Sequence, residues 1–376
     1  MQGEQTNSDE LPESVVPDHL TMKHGYPSKI HALLRTQSGV RYFAAALVTI
    51  IAVGLGLWWT AASITTPIVS DKIAVPKPKP KYFSPLTGAT VANEAAMQRA
   101  VTGVMIENSP DARPQSGLKD AGIVYEAVAE GGITRFVALY QESRPALIGP
   151  VRSVRPYYVE WASAYDPAVA HIGGSARALS MIRSGNYGVD LDQFFNAGAY
   201  WRANDRVAPH NVYTSFDKLD ALRESKGKTT SSFTGFARED VAKLPEPTAT
   251  NITIGVSSGQ FLVQYAYDKA SNTYLRSHGG VEHNDREGGR ISPKVVVALK
   301  VPMSLGFEDG YREQLTTTGS GSAYVFQNGI VTEGTWHRDG DKGQLRLLDA
   351  SGKDIKLNRG QTWITALADD RTVSWQ

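Results

Sequence analysis

The sequence contains no cysteine among its 376 residues, and this absence excludes several kinds of chemistry. Disulfide bonds, thiol nucleophiles, thiolate metal sites and lipids attached through cysteine all require that residue. The chain also has almost no net charge, because 39 basic residues face 38 acidic ones and leave +1. A surface without an overall electrostatic field does not attract polyanions. We therefore predict no nucleic-acid partner, and we expect any charge-based recognition to be local.

Charge is missing altogether from one long stretch. Residues 42–64 are 23 consecutive uncharged residues rich in Ala, Leu, Val and Ile, and a helix of that length crosses about 30 Å of hydrocarbon. Trp58 and Trp59 suit the membrane interface at its far end, and Pro67 prevents the helix from continuing. The pattern predicts a retained transmembrane helix over 42–64 rather than a buried helix of a soluble protein.

The basic residues on the two sides of this span are equal in number: Lys23, Lys29, Arg35 and Arg41 before it, and Lys72, Lys77, Lys79 and Lys81 after it. Arg41 adjoins the span directly, and cytoplasmic flanks are the ones enriched in Lys and Arg. We therefore predict a single-pass protein of the cell membrane with its C-terminal domains outside the cytoplasm. A cleaved signal peptide is the alternative, but a 41-residue leader is too long for one.

Polar segments flank the span. Residues 1–41 combine Pro, Ser, Asp and Glu with few large apolar residues, which predicts a flexible cytoplasmic tail. Residues 65–83 form a linker in which Pro and Lys alternate from Pro76 to Lys81, a pattern typical of an extended spacer. Contact of these lysines with anionic headgroups or wall polymers is the functional alternative.

The rest of the chain divides at a Pro-containing run, 243–248, which predicts a mixed α/β domain over 84–240 and a mainly β domain over 250–376. In the first domain, residues 168–172 suit a buried strand that a glycine turn connects to a helix over 176–184. The second domain has strand-like segments at 260–267, 294–300, 322–327, 330–336, 344–348 and 361–367. The predicted fold class is therefore α+β, preceded by a transmembrane helix.

Two further patterns belong to the second predicted domain. Asn328 and Gly329 stand between two apolar segments and predict a type I′ hairpin turn, because both central positions of that turn need positive φ. Trp336 and Trp363 are expected in the β core rather than on a carbohydrate-binding surface.

Charged residues are concentrated in a predicted hairpin of the first domain, in which residues 123–140 form two strands joined by a two-glycine turn. If partner numbers sum to 263, Arg135 lies opposite Val128 and shares one face with Glu126 and Glu130. The cluster then either orients a polar ligand or fixes the strand register by ion pairing. A glycosidase pair is disfavoured, because four strand residues span roughly 13 Å and catalytic carboxylates lie about 5 to 9.5 Å apart.

Nine longer motifs, each different, are spread along the chain: Ser84–Gly88, Arg113–Leu118, Asp120–Glu126, Glu130–Arg135, Ile148–Pro156, His171–Ser175, Val325–Gly329, Glu333–Trp336 and Leu357–Ile364. Together they resemble the YerB-like bacterial lipoprotein family over about residues 84–370. The resemblance implies a two-part α+β fold on the outer side of the membrane, usually tethered through a lipidated cysteine. Because this chain has no cysteine, its helix must replace that lipid. The family is of unknown function, so the resemblance implies no reaction.

The predicted ligand-binding residues all lie in the first domain: Arg113, Glu126, Glu130, Arg135, Arg152, Arg155, His171, Gly173, Gly174, Ser175 and His210. Arginine presents a planar fork that suits carboxylate or phosphate. A glycine turn leading into a helix offers backbone N–H groups and the positive end of the helix dipole, which favours an anion. The structural alternative is a tight turn with Ser175 as the N-cap.

Catalysis is less well supported by these residues. His171 beside Ser175 is compatible with acyl transfer, but no orienting acid can be assigned, and a structural histidine is favoured. His171 with His210 is too sparse for a metal site, so we predict neither metal nor cofactor. The patterns favour a non-catalytic envelope module for an anionic or glycan ligand, with cell-wall polymer or envelope proteins as partners. A cell-envelope hydrolase and a scaffold for envelope protein complexes are the alternatives.

Overall fold

The computed structural model describes residues 37–62, 81–240, 246–308, 310 and 312–376. Its first element is helix α1 (Gln37–Ala62), in which the 21 residues Val40–Thr60 have a mean hydropathy of 2.0 and no burial. This helix is long and apolar enough to cross a membrane. The last two residues of the predicted span, the linker up to residue 80 and residues 1–36 of the predicted tail lie outside the described residues.

The remaining elements belong to a compact unit formed by residues 79–376. Its helices are α2 (Glu94–Met97), α3 (Pro156–Ser163), α4 (Ala176–Arg183) and α5 (Phe216–Ser225). Its strands are β1 (Tyr82–Phe83), β2 (Thr90–Val91), β3 (Thr102–Glu107), β4 (Ile123–Glu130), β5 (Ile133–Tyr140), β6 (Ala168–His171), β7 (Val189–Asp192), β8 (Tyr200–Arg202), β9 (Val212–Thr214), β10 (Asn251–Gly255), β11 (Leu262–Asp268), β12 (Thr273–His278), β13 (Val281–Glu282), β14 (Asn284–Asp285), β15 (Gly289–Arg290), β16 (Val295–Val301), β17 (Met303–Phe307), β18 (Arg312–Leu315), β19 (Gly319–Gln327), β20 (Ile330–Arg338), β21 (Arg346–Leu348), β22 (Thr362–Ala368) and β23 (Val373–Trp375).

A ten-stranded sheet forms the centre of this unit, in the order β21-β20-β19-β16-β22-β4-β5-β3-β6-β7. Strands from both halves of the chain contribute, and they join where β22 runs parallel to β4. The strands β3, β6 and β7 are also mutually parallel, so their carboxyl ends meet at one edge.

Both faces of the sheet are covered by apolar packing. On one face, Trp161 of α3 and Ile182 of α4 pack in a buried cluster with Tyr125. On the other face, α5 and the five-stranded sheet β13-β12-β11-β10-β23 supply the cover, and Phe216 and Tyr265 belong to that cluster. Strands buried on both faces are rich in apolar residues in sequence, which is why apolar residues predominate in β3, β4, β5 and β16.

The predicted fold class is confirmed, with a mixed α/β region followed by a mainly β region. All six strand-like segments predicted after residue 250 form strands, namely β11, β16, β19, β20, β21 and β22. Asn328 and Gly329 have φ of 58° and 76° in the turn between β19 and β20, as a type I′ turn requires. Trp336 and Trp363 are buried in the core.

The predicted register of the β4–β5 hairpin is wrong over most of its length. Arg135 pairs with Ala127 rather than Val128, because a bulge lies between Val128 and Glu130. One extra residue moves every preceding side chain to the other face of the strand. Glu130 therefore stays on the face of Arg135, whereas Glu126 lies on the opposite face, and the three charged residues do not share one face.

Candidate functional site

At one edge of the ten-stranded sheet, the carboxyl ends of β3, β6 and β7 lie beside the turn of the β4–β5 hairpin. Ligands of open α/β sheets bind outside the carboxyl ends of the strands. Residues 148–156 cross this edge as a loop. The N–H of Arg152 donates to Met105 O at 2.9 Å, and the N–H of Val154 donates to Gly173 O at 3.0 Å. The loop thereby holds its two arginines against the polar ends of the strands.

Glu130 binds two of the predicted arginines. Arg135 Nη2 lies 2.9 Å from one carboxylate oxygen, and Arg155 bonds to the other. Arg312 Nε is 3.7 Å from that second oxygen. Burial by itself raises the pKa of Glu130, but Arg135 and Arg155 outweigh it and lower the pKa to about 2. At neutral pH this carboxylate is therefore ionised and forms an ion pair with each of the two arginines, which leaves the group with a net positive charge.

The N-terminus of α4 holds a carboxylate of the protein itself. The backbone N–H groups of Ala176 and Arg177 donate to the two oxygens of Glu308 at 3.0 and 2.8 Å. Arg312 Nη1 lies 3.9 Å from the same carboxylate. Free N–H groups and the helix dipole favour negative charge at such a position. A side chain from the β17–β18 hairpin therefore lies at the helix N-terminus where the glycine turn predicted an external anion.

The glycine turn itself makes different contacts. The N–H of Gly173 donates to Asp192 Oδ1 at 3.0 Å, and the N–H of Ser175 donates to Val154 O at 3.3 Å. A Cβ on Gly174 would lie 2.7 Å from Val154 Cγ1, so only glycine allows the loop to approach this closely. Ser175 is the N-cap residue of α4, and its buried hydroxyl has no hydrogen-bond partner among the described residues.

Glu107 at the end of β3 binds two more of the predicted basic residues, Arg152 and His210. Arg152 Nε lies 3.1 Å and His210 Nδ1 2.9 Å from its Oε1, and the hydroxyl of Ser109 donates to the same oxygen at 2.9 Å. Only 3% of Glu107 is exposed. With Nδ1 on this carboxylate, His210 directs Nε2 towards Asp111, whose Oδ2 lies 3.9 Å away.

His171 lies in a separate cluster with two aspartates of β7. Its Nδ1 is 2.9 Å from Gly173 O, and its Nε2 is 3.0 Å from Asp190 Oδ1. Asp192 also accepts a hydrogen bond from Arg183 at 3.0 Å. Ligand atoms of His171, Asp190 and Asp192 lie within 4.8 Å of one another, close enough for a metal ion. However, each is already bonded to protein groups, and a cation would displace Arg183.

The acyl-transfer arrangement considered from the sequence is not formed. Neither ring nitrogen of His171 is directed at Ser175, because the two nitrogens face Gly173 O and Asp190. A general base must reach the proton that it removes. His171 instead ties the carboxyl end of β6 to that of β7.

Glu126 lies away from the sheet edge in a buried polar network, and Arg113 is a half-buried member of that network which also lines a surface pocket with His210. Arg276 of β12 pairs with Glu126 at 2.7 Å, and Trp363 Nε1 donates to the same carboxylate oxygen at 3.0 Å. Arg113 Nη2 donates to Asn108 O at 3.0 Å. Burial and the neighbouring Arg276 lower the pKa of Arg113 to about 10.

Two histidines complete this network. His278 Nε2 lies 3.3 Å from Arg113 Nη2, and His283 Nε2 lies 2.9 Å from Gln115 Oε1. Burial, and then the positive charge of Arg276, lower the pKa of both histidines far below the ordinary value. Both imidazoles are therefore neutral at physiological pH.

The structure thus brings most of the predicted residues to one edge of the sheet: Glu130, Arg135, Arg152, Arg155, His171, Gly173, Gly174, Ser175 and His210. The sequence analysis missed four acidic partners, Glu107, Asp190, Asp192 and Glu308. Glu107 and Asp192 end strands β3 and β7, so the polar residue that closes each strand was the available signal. Glu308 gave no signal, because it is 131 residues from Arg177 at the start of α4 in the chain.

Comparison with known families shows which protein family the chain belongs to. Residues 86–230 match the N-terminal domain, and residues 252–364 the C-terminal domain, of a family described as "Protein of unknown function (DUF3048)". The chain belongs to the DUF3048 family. The two matched regions of this DUF3048 protein contribute strands to one continuous sheet, which joins at β4 and β22.

Relatives of this DUF3048 protein carry the YerB name. The chain is 35% identical over 305 residues to a Bacillus subtilis (strain 168) protein described as "Putative lipoprotein YerB", covering 80% of this chain and 90% of the relative. A crystal structure of YerB from Bacillus subtilis superposes with a TM-score of 0.70 at 32% identity, over 78% of this chain and all of that one. The predicted YerB-like resemblance is confirmed. The relative's name and helix α1 together indicate membrane association.

Proposed function

We propose that this protein is a single-pass, extracytoplasmic module of the cell envelope that binds an anionic ligand at the N-terminus of α4. The observation that carries the proposal is the Glu308 carboxylate, which Ala176 and Arg177 hold by two backbone hydrogen bonds. A carboxylate or phosphate of a ligand has the same recognition chemistry. The arginines on Glu130 extend the positive field around this position.

The internal carboxylate is suited to exchange with an external one. Glu308 has φ of 61°, a backbone conformation that costs a residue other than glycine on the order of 1–3 kcal/mol. Its neighbours Leu305 and Gly306 in β17 are exposed, so few packing contacts hold this end of the hairpin. A ligand that supplies its own anion needs no rearrangement of α4, because the N–H groups of Ala176 and Arg177 already hold a carboxylate there.

The test compares the wild-type protein with Glu308→Ala in detergent micelles, using glycerol phosphate and N-acetylmuramic acid as probes. Removing the internal carboxylate should tighten binding at least about tenfold, which corresponds to 1.4 kcal/mol. Adding Arg177→Glu to that variant should abolish the gain, because it places a negative charge at the same helix end. Glu333→Ala, an exposed glutamate of β20, is the control. If Glu308→Ala binds neither probe, the proposal is wrong.

A scaffold for envelope proteins is the second candidate. Phe194 and Phe195 are 69% and 71% exposed side by side after β7, and exposed aromatic residues mark protein interaction sites. Arg152 and Arg155 are also paired with protein carboxylates. This function predicts that partner proteins co-purify with the wild type and no longer co-purify with Phe194→Ser/Phe195→Ser. Glu308→Ala should not change which proteins co-purify.

A further inference from the structure

A cleft of about 190 Å³ lies between α3, the start of α4 and the segment after β18. Glu160, Glu313 and Asp341 line it together with Arg177 and a run of three threonines. It is smaller than the roughly 300–1,000 Å³ of sites for drug-sized molecules. The cleft is therefore of a size for one small ring or chain.

The lining of this cleft is rich in negative charge. Three carboxylates face a single guanidinium, and Arg177 Nη2 lies 3.6 Å from Glu160 Oε1. The N–H of Arg177 belongs to the Glu308 contact, but its side chain points to Glu160. The cleft and the anion site are thus adjacent yet opposite in charge.

Glu313 is the least satisfied of these acids. Only 4% of the residue is exposed, and its Oε1 accepts a hydrogen bond from the N–H of Gly132 at 3.2 Å. Its Oε2 is buried with no hydrogen-bond partner among the described residues. A buried carboxylate oxygen without a donor costs about 1–3 kcal/mol or more, so a donor from outside the chain would be stabilised strongly here.

The other polar groups of the cleft are fixed by the protein. Thr317 donates its hydroxyl to Glu160 Oε2 and accepts a hydrogen bond from Arg338 Nη1 at 2.9 Å. Tyr187 donates its hydroxyl to Asp341. These contacts hold carboxylate oxygens in place before any ligand arrives, and preorganised acceptors favour a cationic donor.

We infer that this cleft binds the primary ammonium group of a small ligand, with an amino sugar as the class that fits best. The ammonium group supplies a positive charge to the three carboxylates that line the cleft and a donor for the unpartnered Oε2 of Glu313. Sugar hydroxyls suit the threonine-rich wall formed by residues 316–318. The site is distinct from the proposed anion site, because its ligand carries the opposite charge.

The experiment measures binding of D-glucosamine to the full-length protein in detergent by isothermal titration calorimetry, beside D-glucose and N-acetyl-D-glucosamine. Glucosamine should bind at least about tenfold more tightly than either neutral sugar. Glu313→Gln should lower its affinity by about tenfold or more, since the amide can still accept from Gly132 but carries no charge. Glu333→Gln should change nothing. Asp341→Asn, on the other wall, should weaken binding in the same way if Glu313→Gln fails to fold.

Three results would overturn the inference. They are no heat of binding with glucosamine, equal affinity for N-acetyl-D-glucosamine, and an affinity that neither Glu313→Gln nor Asp341→Asn changes. None of them bears on the binding of glycerol phosphate at Glu308. The two proposals therefore fail separately.

Discussion

Arg276 Nη2 lies 2.7 Å from Glu126 Oε2, and neither side chain exposes any surface. Glu126 is in the first matched family region and Arg276 in the second, so the pair joins the two. The guanidinium also lies over Trp363, 4.4 Å from a ring centroid. Charges removed from water are costly unless they are paired and hydrogen-bonded, and this pair has both kinds of partner.

Removing one member of the pair should strongly destabilise the protein. We expect Arg276→Leu to lower the free energy of unfolding by about 3–5 kcal/mol, because Glu126 remains buried without a counter-charge. Glu126→Leu/Arg276→Leu should recover a large part of the loss, since no charge is left in the core. Denaturant titration of the full-length protein in micelles measures both.

The matched control for this prediction is Arg346→Leu, which removes an arginine from a half-exposed pair with Asp354. Exposed ion pairs contribute little to stability, so this variant should unfold like the wild type. If Arg276→Leu were no less stable than Arg346→Leu, the buried pair would not hold the two regions together.

Stability should fall as the pH drops below about 6.5, the ordinary pKa of histidine. His278 and His283 resist protonation in the folded state, because burial and Arg276 lower their pKa values. The unfolded chain binds these protons, so acid favours unfolding. These two histidines leave the free energy of unfolding unchanged above pH 6.5. Below pH 6.5 each of them lowers it by about 1.4 kcal/mol per pH unit as the pH falls.

Denaturant titrations at pH 7.5, 6.0 and 5.0 test this dependence. His278→Gln and His283→Gln should each remove about half of the fall in the free energy of unfolding between pH 7.5 and 5.0. An unchanged slope in both variants would show that other groups produce the acid sensitivity.

The fold was largely predictable, because its main strands are apolar segments separated by turn residues. The β4 and β5 strand ends agree with the pattern on both sides of Gly131 and Gly132. The strand register could not be predicted, because nothing in the local pattern distinguishes the bulge near Ala129 from a regular strand. That one residue decides whether Glu126 meets Arg135 or Arg276, so the site could not be derived from spacing alone.

The candidate site was predictable where its chemistry is local and unpredictable where it is not. Gly173 to Ser175 before a helix indicated an anion site. The occupant, Glu308, comes from a hairpin in the other half of the chain, and sequence spacing does not report such contacts. Arg152 and Arg155 were identified as arginines for a ligand, yet Glu107 and Glu130 already bind them.

Glu130→Gln should destabilise the protein at neutral pH, since Arg135 and Arg155 are 3% exposed and would lose their counter-charge. The pKa of Glu130 is lowered to about 2. Its contribution to the free energy of unfolding is therefore present above pH 4.5 and is lost as the pH falls towards 2. The difference between variant and wild type should therefore shrink over that window. Thermal unfolding at pH 7, 4 and 2.5 measures it, with Glu333→Gln as the control. A constant difference would contradict the ion-pair role.

The absence of cysteine makes the membrane topology directly testable. We expect Ser351→Cys, at an exposed position after β21, to react with a membrane-impermeant maleimide in intact bacterial cells. Ser8→Cys should react only after the membrane is permeabilised, because positive charge adjoining the span favours a cytoplasmic N-terminus. The wild type, with no thiol, supplies the background. The reverse pattern would place the compact unit in the cytoplasm. In that compartment a wall-derived anion could not be the ligand that replaces Glu308 at α4.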